Sequence, residues 1–467
     1  MKEVLAAVLS LLIWLTAAAT HAAEPVQAQT ATDLSGIKVL DLKTAQTAAL
    51  ADNPDMAAAA ARIEQARARV KQAAATWWPS LDLGGSGARQ RLSDTTHEYN
   101  QAVASLLGGT ADQTSDAFSA SLQATWVLFD GFYRTFKEQQ ARFDEESTAA
   151  ALVNSRRLLA TAVAESFLNA QLAQTNVDIA KADEAFYLRQ LEDAQNRYKV
   201  GAGPWGDILN IKVQLNSART GLMRYQREFE AAGYGLASLM GLADAQLPPH
   251  MQLEKLNRLD ETPGPKESIE TLIEQALIAR PDIKRLEMLV KQTEAATGMA
   301  KAPFYPKVQV AGAIEGGKED NPGFSGEDLG NSVGVNMSCN LYAGGADKAR
   351  LLETQQAKRE AAFTLAGLRN SVAAEIRQDL ALLAAAQEQV RLQQESVKLV
   401  EENRELAKNE YEAGEASLVR LNEAQRDLTT TYGRLAQAQV AYHLAMQRLL
   451  AATGRNLAGL AIPSGQP

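Results

Sequence analysis

The stretch Asn331-Ser332-Val333-Gly334-Val335-Asn336-Met337-Ser338-Cys339-Asn340-Leu341 settles into a strict alternation. The odd positions Val333, Val335, Met337, Cys339 and Leu341 are apolar and the even positions small or polar, the period-two signature of a strand with one apolar face. Upstream, Val308, Val310 and Ile314 alternate with Lys307, Gln309 and Glu315 in the same way. Far earlier, Phe118, Ala120, Leu122, Ala124, Trp126 and Leu128 stand against Ser119, Ser121, Gln123 and Thr125. Leu81 and Leu83 open a weaker run that passes into Gly84, Gly85 and Gly87. The spacing predicts four strands, about 80–92, 117–129, 307–316 and 331–342. Two environments fit such strands: a soluble one-faced sheet, or a transmembrane barrel with lipid outside and water inside. Aromatic side chains cluster where these strands begin and end (Trp77, Trp78, Trp126, Phe129, Phe304, Tyr305, Tyr342), as a membrane-interface girdle requires. The segments Ser93 to Asp116 and Gly317 to Gly330 are polar, as extracellular loops would be. Both features favour the barrel. Four strands cannot close one, since small closed barrels need about eight. Lipid does not tolerate open strand edges. The barrel reading therefore demands several chains, and three would supply 3 × 4 = 12 strands.

The flanks read differently. From Phe132 to Tyr198 there is neither proline nor glycine, and from Ala346 to Tyr411 only Gly367 interrupts the same pattern. Ala, Leu, Gln, Glu and Arg dominate both stretches, all good helix formers. Helices of this length reach about 100 Å at roughly 1.5 Å per residue, too long for a globular core, so they must pack side by side. Each ends at a glycine-bearing turn, Val200 to Gly206 and Ala413 to Ser417, and resumes as a second helix to about Leu242 and Ala452. The expectation is two long helical hairpins, 132–243 and 345–453.

The chain is one unit written twice. Asn53-Pro54-Asp55 and Trp78-Pro79-Ser80 are answered by Arg280-Pro281-Asp282 and Tyr305-Pro306-Lys307, with 281 − 54 and 306 − 79 both equal to 227. Leu128-Phe129-Asp130-Gly131 and Tyr198-Lys199-Val200-Gly201 are answered by Leu341-Tyr342-Ala343-Gly344 and Tyr411-Glu412-Ala413-Gly414, at an offset of 213. The difference, 227 − 213 = 14, places one length change between Pro79 and Phe129. The organisation follows: signal segment 1–22, first repeat 23–243, linker 244–267, second repeat 268–453 and tail 454–467. The fold class expected is α+β, mostly α.

The N-terminus sets the compartment. Lys2, the apolar run Val4 to Leu15 and the small residues up to Ala22 read as a secretory signal peptide cleaved after Ala22. The apolar run is too short for a spanning anchor. No cysteine follows the signal, so a lipid anchor on the mature N-terminus is not expected. Charges of 47 Lys+Arg against 56 Asp+Glu give −9, with no basic block, which speaks against nucleic-acid binding. The single Cys339 excludes an intramolecular disulfide framework.

Together these residues resemble the TolC-type outer-membrane factor (outer membrane efflux protein) family. The resemblance rests on Ala49 to Pro54 and its copy Ala276 to Pro281, the aromatic-Pro strand starts at Pro79 and Pro306, the glycine-bearing strand exits, and the hairpin tips. It covers nearly all of the mature chain. It implies a homotrimer with a 12-stranded outer-membrane β-barrel on a periplasmic α-helical barrel. It also implies a passive exit duct for a tripartite efflux pump or type I secretion system. A periplasmic adaptor (membrane fusion) protein and an inner-membrane transporter would be the partners. The tips, Val200, Gly201, Ala413 and Gly414, would dock the adaptor. By motif position the resemblance assigns a periplasmic gate to Asp207, Tyr411, Arg420 and Glu423. The family's second-tip arginine position is Ala416 here, so one link is missing, and Arg420 reverses the charge of an acidic position.

Other motifs read as structural. Gly201-Ala202-Gly203-Pro204-Trp205-Gly206 matches G-x-G-x-x-G, but a helix rather than a strand precedes it, so it is a hairpin turn and not a dinucleotide loop. His97, His250 and His443 are far apart and form no metal pattern. No catalytic grouping is legible, and neither enzyme activity, metal nor cofactor is expected. The runner-up is a soluble periplasmic coiled-coil adaptor, which accounts for the helices and leaves the amphipathic strands idle.

Overall fold

The computed structural model describes residues 36–256, 262–320 and 322–460. The expected signal segment lies outside these residues, as do part of the linker and the end of the tail. In chain order the elements are β1 (Val39–Leu40), α1 (Leu42–Asp52), α2 (Pro54–Ala75), β2 (Ser80–Arg91), α3 (Asp94–Leu106), β3 (Thr114–Asp130), α4 (Tyr133–Lys199) and α5 (Trp205–Leu239). There follow β4 (Gln252–Leu253), α6 (Ile269–Ala279), α7 (Pro281–Lys301), β5 (Lys307–Glu319), β6 (Leu329–Ser338), α8 (Ala346–Glu412) and α9 (Leu418–Ala452). The bounds carry the duplication: α1 shifted by 227 is α6, and α4 and α5 shifted by 213 are α8 and α9, end to end.

The chain divides into two compact units. One contains Ala66–Asp144 and Val290–Glu360 and is built on an antiparallel sheet of order β2-β3-β5-β6. Its register gathers the apolar positions on one face. Leu81, Ala124, Gly312 and Val333 form one cross-strand row, and Leu83, Leu122 and Ile314 the next. Trp126, Val310 and Val335 form a third, and Phe129, Val308 and Met337 a fourth. The opposite face carries Gln123, Ser121, Gln309, Glu315, Ser332 and Asn336. Among the described residues, the outer edges of β2 and β6 have no strand beside them.

Three details depart from the sequence reading. A bulge between Val127 and Phe129 takes Leu128 out of the ladder, so Phe129 and not Leu128 continues the row begun at Phe118. Strand β6 stops at Ser338, leaving Cys339, Leu341 and Tyr342 outside the sheet; its partner β5 starts at Lys307, and the preceding Pro306 has no N–H to extend the ladder. The segment taken as a polar loop after β2 contains α3, whose N-cap Ser93 accepts from the Thr96 N–H at 3.3 Å. That 13-residue helix accounts for most of the 14-residue length difference.

Strand β3 turns into α4 through Gly131 and Phe132, both left-handed at φ 66° and 68°. The equivalent pair, Gly344 and Gly345, has no Cβ to strain. Phe132 holds its unfavourable conformation between Phe129 and Tyr305, with ring centroids at 5.3 and 6.0 Å. Gly298 on α7 lies so close to the Phe136 ring that a methyl group there would collide with it.

The second unit, which includes Glu145–Leu289 and the chain from Ala361, has its core written twice. Ala45, Ala49, Met56, Leu159, Val163, Ala170 and Leu236 fill one cluster, and Leu272, Ala276, Ile283, Val372, Ile376, Leu383 and Leu449 the other, at offsets of 227 and 213. Alanines such as Ala49, Ala170, Ala276 and Ala438 are interspersed with the larger aliphatic side chains and let the long helices approach closely. A short parallel pair, β1 with β4, closes the first cluster, and nothing in the sequence pattern announced it.

Candidate functional site

The two hairpin tips are built on one plan. Gly201 and Gly414 sit at φ 73° and 78°, where glycine ends a helix without strain. Ala202 donates back to the Arg197 carbonyl at 2.8 Å, and Glu415 to that of Glu410 at 2.8 Å. Ser417 then caps α9 by accepting from the Arg420 N–H at 3.4 Å. Val200, Gly201, Ala413 and Gly414, the residues expected to dock a partner, are all exposed.

The tips diverge in their tyrosines. Tyr198 packs on Trp205 of its own hairpin, centroids 5.3 Å apart. Its counterpart Tyr411 reaches across to the first hairpin. There the Arg197 guanidinium lies over its ring at 5.0 Å and the Asp207 carboxylate is within hydrogen-bonding reach. Burial, followed by the negative charge of Asp207, pushes the Tyr411 hydroxyl up from 10, with Arg197 opposing. The phenol therefore stays protonated and available as a donor to Asp207. Beneath the tyrosine, Ala194, Ile208, Ile211 and Leu418 form a small apolar floor.

Of the four gate residues expected from the sequence, Asp207 and Tyr411 come together. Arg420 does not meet Asp207: its Nε donates to Glu410 at 2.9 Å, within its own tip. Glu423 lies exposed. Its counterpart in the first repeat, Asn210, accepts from the buried Asn422 at 3.3 Å. A turn deeper, Asp183 accepts from Gln425 at 2.9 Å and from Thr429 at 3.1 Å, a second polar tie between hairpins. Arg197, Glu410 and Asp183 escaped the sequence reading, since a lone charge on a long helix carries no sign of what faces it.

At the strand ends, Trp126 Nε1 donates to the Trp77 carbonyl at 3.0 Å, and Trp77 Nε1 to Glu138 at 2.9 Å. Trp78 and Tyr342 are exposed, and Phe304 and Tyr305 about half exposed. Arg134 is buried beneath Trp77 at 4.4 Å and paired with Asp130 at 3.0 Å. Among the described residues, no helix is long and apolar enough to cross a membrane. The G-x-G-x-x-G match falls in the turn between α4 and α5, as a hairpin tip and not after a strand.

A family model described as outer membrane efflux protein matches residues 46–242 and 272–455, one match for each repeat. The chain is 24% identical to nodulation protein T of Rhizobium leguminosarum bv. trifolii over 83% of its own length and 80% of that protein. It is also 24% identical to the cation efflux system protein CusC of Escherichia coli K12, over 84% of its length and 81% of that protein. The solved structure of CusC superposes with a TM-score of 0.75 at 22% identity, covering 90% of this chain and 93% of that one.

Proposed function

The chain belongs to the outer membrane efflux protein family and is an outer-membrane export channel; we propose that three copies close into one duct, passive and without catalysis. The four-stranded sheet carries this reading. One face is largely apolar and the other largely polar, and among the described residues neither outer edge has a strand beside it. In lipid such edges must be paired, and β6 of one copy beside β2 of the next does so while keeping the apolar face outward. Three copies give 3 × 4 = 12 strands, and their twelve long helical segments line the path through the periplasm. The signal segment 1–22 delivers the chain.

In this duct the hairpin tips face a periplasmic adaptor protein that couples the channel to an inner-membrane transporter. The Tyr411–Asp207 contact, with Arg420 and Glu423 nearby, acts as the gate at that end. The soluble adaptor reading leaves the apolar sheet face without a role. Extraction followed by native mass spectrometry tests the assembly. The membrane fraction should release the protein only with detergent, at three chain masses. A water-soluble monomer contradicts it.

A further inference from the structure

A second site lies at the inner end of the sheet. A cavity of about 700 Å³ opens where β3, β5 and β6 meet the ends of α2 and α7 and the first turns of α4 and α8. Its strand residues, Val127, Lys307 and Ser338, share the register of Gln309 and Asn336, so the cavity is on the polar face of the sheet. Three cations line it: Lys137, Lys307 and Arg350. Arg134 and Asp130 also reach it but neutralise each other at 3.0 Å. Glu353 is the remaining carboxylate, so the lining carries 3 − 1 = +2 in a chain whose total is −9. Elsewhere in this unit several helix-surface cations are paired, as in Arg69–Asp144, Arg142–Glu138 and Lys358–Glu294. Lys137, Lys307 and Arg350 have no ion pair among the described residues. Met299, Pro303 and the Tyr305 ring add apolar surface to the same lining.

We propose that this cavity is a binding station for amphipathic organic anions: a flat apolar body against Met299, Pro303 and Tyr305, and a carboxylate or sulfonate held by Lys307 and Arg350. The volume falls within the range of small-molecule sites, and uncompensated cations beside low-dielectric walls concentrate anions locally. That the site lies on the export path rests on the duct reading, in which the polar sheet face lines the lumen. There it gives a locally cation-lined passage at the base of the barrel.

The test is calorimetric titration of naphthalene-2-sulfonate into the full-length protein in non-ionic detergent. Conductance is recorded on the same preparation. Saturable binding, one per chain, is expected, weakened at least tenfold in Lys307→Gln and Arg350→Gln. It should be unchanged in Lys301→Gln, which alters an exposed lysine outside the cavity. Neutral 2-naphthalenemethanol should bind far more weakly than the sulfonate. Equal binding of the neutral compound, or equal affinity in the Lys307 and Arg350 variants, overturns the proposal. Binding that behaves as expected in a protein without conductance upholds the site and removes it from any export path.

Discussion

Asn53 and Arg280 stand in the same place in the two repeats, and each donates a side-chain N–H to the last carbonyl of its own hairpin. Asn53 reaches Leu239 at 2.9 Å, and Arg280 reaches Ala452 at 3.1 Å. The architectural task is shared: each joins the α1–α2 or α6–α7 corner to the end of the hairpin, satisfying a carbonyl that the helix leaves open. The chemistry differs. Arg280 is buried with its charge, and needs Asp282 at 2.7 Å and Glu375 at 2.5 Å to stay there. Arg157 approaches the adjacent carbonyl, Ala451, at 2.9 Å.

Removing these two residues should therefore have unequal effects. Arg280→Ala leaves the partly buried Asp282 with only Arg157, at 3.7 Å, a change of about 3 kcal/mol, the low end for breaking a buried pair. Asn53→Ala removes a neutral bond and should lose about 1–3 kcal/mol. Denaturant unfolding of the two variants in matched detergent checks the order.

The left-handed corner after β3 sets a second contrast. Gly131→Ala places a Cβ 2.5 Å from the Ala302 carbonyl oxygen in addition to its positive φ. Gly344→Ala meets open space and carries only the left-handed penalty, about 1 kcal/mol. Thermal stability of the assembled protein should fall much further for Gly131→Ala.

Asp379 carries a pH prediction. Burial, then the neighbouring Glu375, raises its carboxyl to about 6, with Arg448 and Arg280 opposing. A raised acid binds a proton more tightly in the fold than in the unfolded chain. Its contribution to stability therefore falls as pH rises from about 4 to about 6, and stays low above that. His443, held neutral by burial, works against this trend, losing stability as pH falls through its unfolded range. The difference between Asp379→Asn and the parent isolates the carboxyl: the variant should be the more stable at pH 7.5, with the advantage gone near pH 4.

At the tips, Tyr411→Phe deletes the phenol that reaches Asp207 and leaves the ring beneath Arg197. Open probability should rise several-fold in Tyr411→Phe and in Asp207→Ala, with little added by combining them, since both remove one link. Arg420→Ala should have a smaller effect, because its partner Glu410 lies in the same tip.

Much of this architecture was legible in the residues. Period two in Val333, Val335 and Met337 marks the face that the register groups with Val310 and Trp126. The repeat offsets mark helix ends and even the paired cores, because one spacing of alanines and leucines was copied with the helices that carry it. What stayed hidden depends on partners distant in sequence. The bulge at Leu128 exists only against Gln309 and Val308. The Glu410 partner of Arg420 depends on how the second tip turns. The β1–β4 pair joins two-residue strands too short to show a period. The cation-lined cavity gathers Lys137, Lys307 and Arg350 from three elements, and no spacing connects them.

The most direct test of the duct is single-channel recording of the detergent-purified protein in a planar bilayer. The account predicts a small, mostly closed conductance that rises in Asp207→Ala. A protein that remains water-soluble and yields no conductance in either form contradicts it.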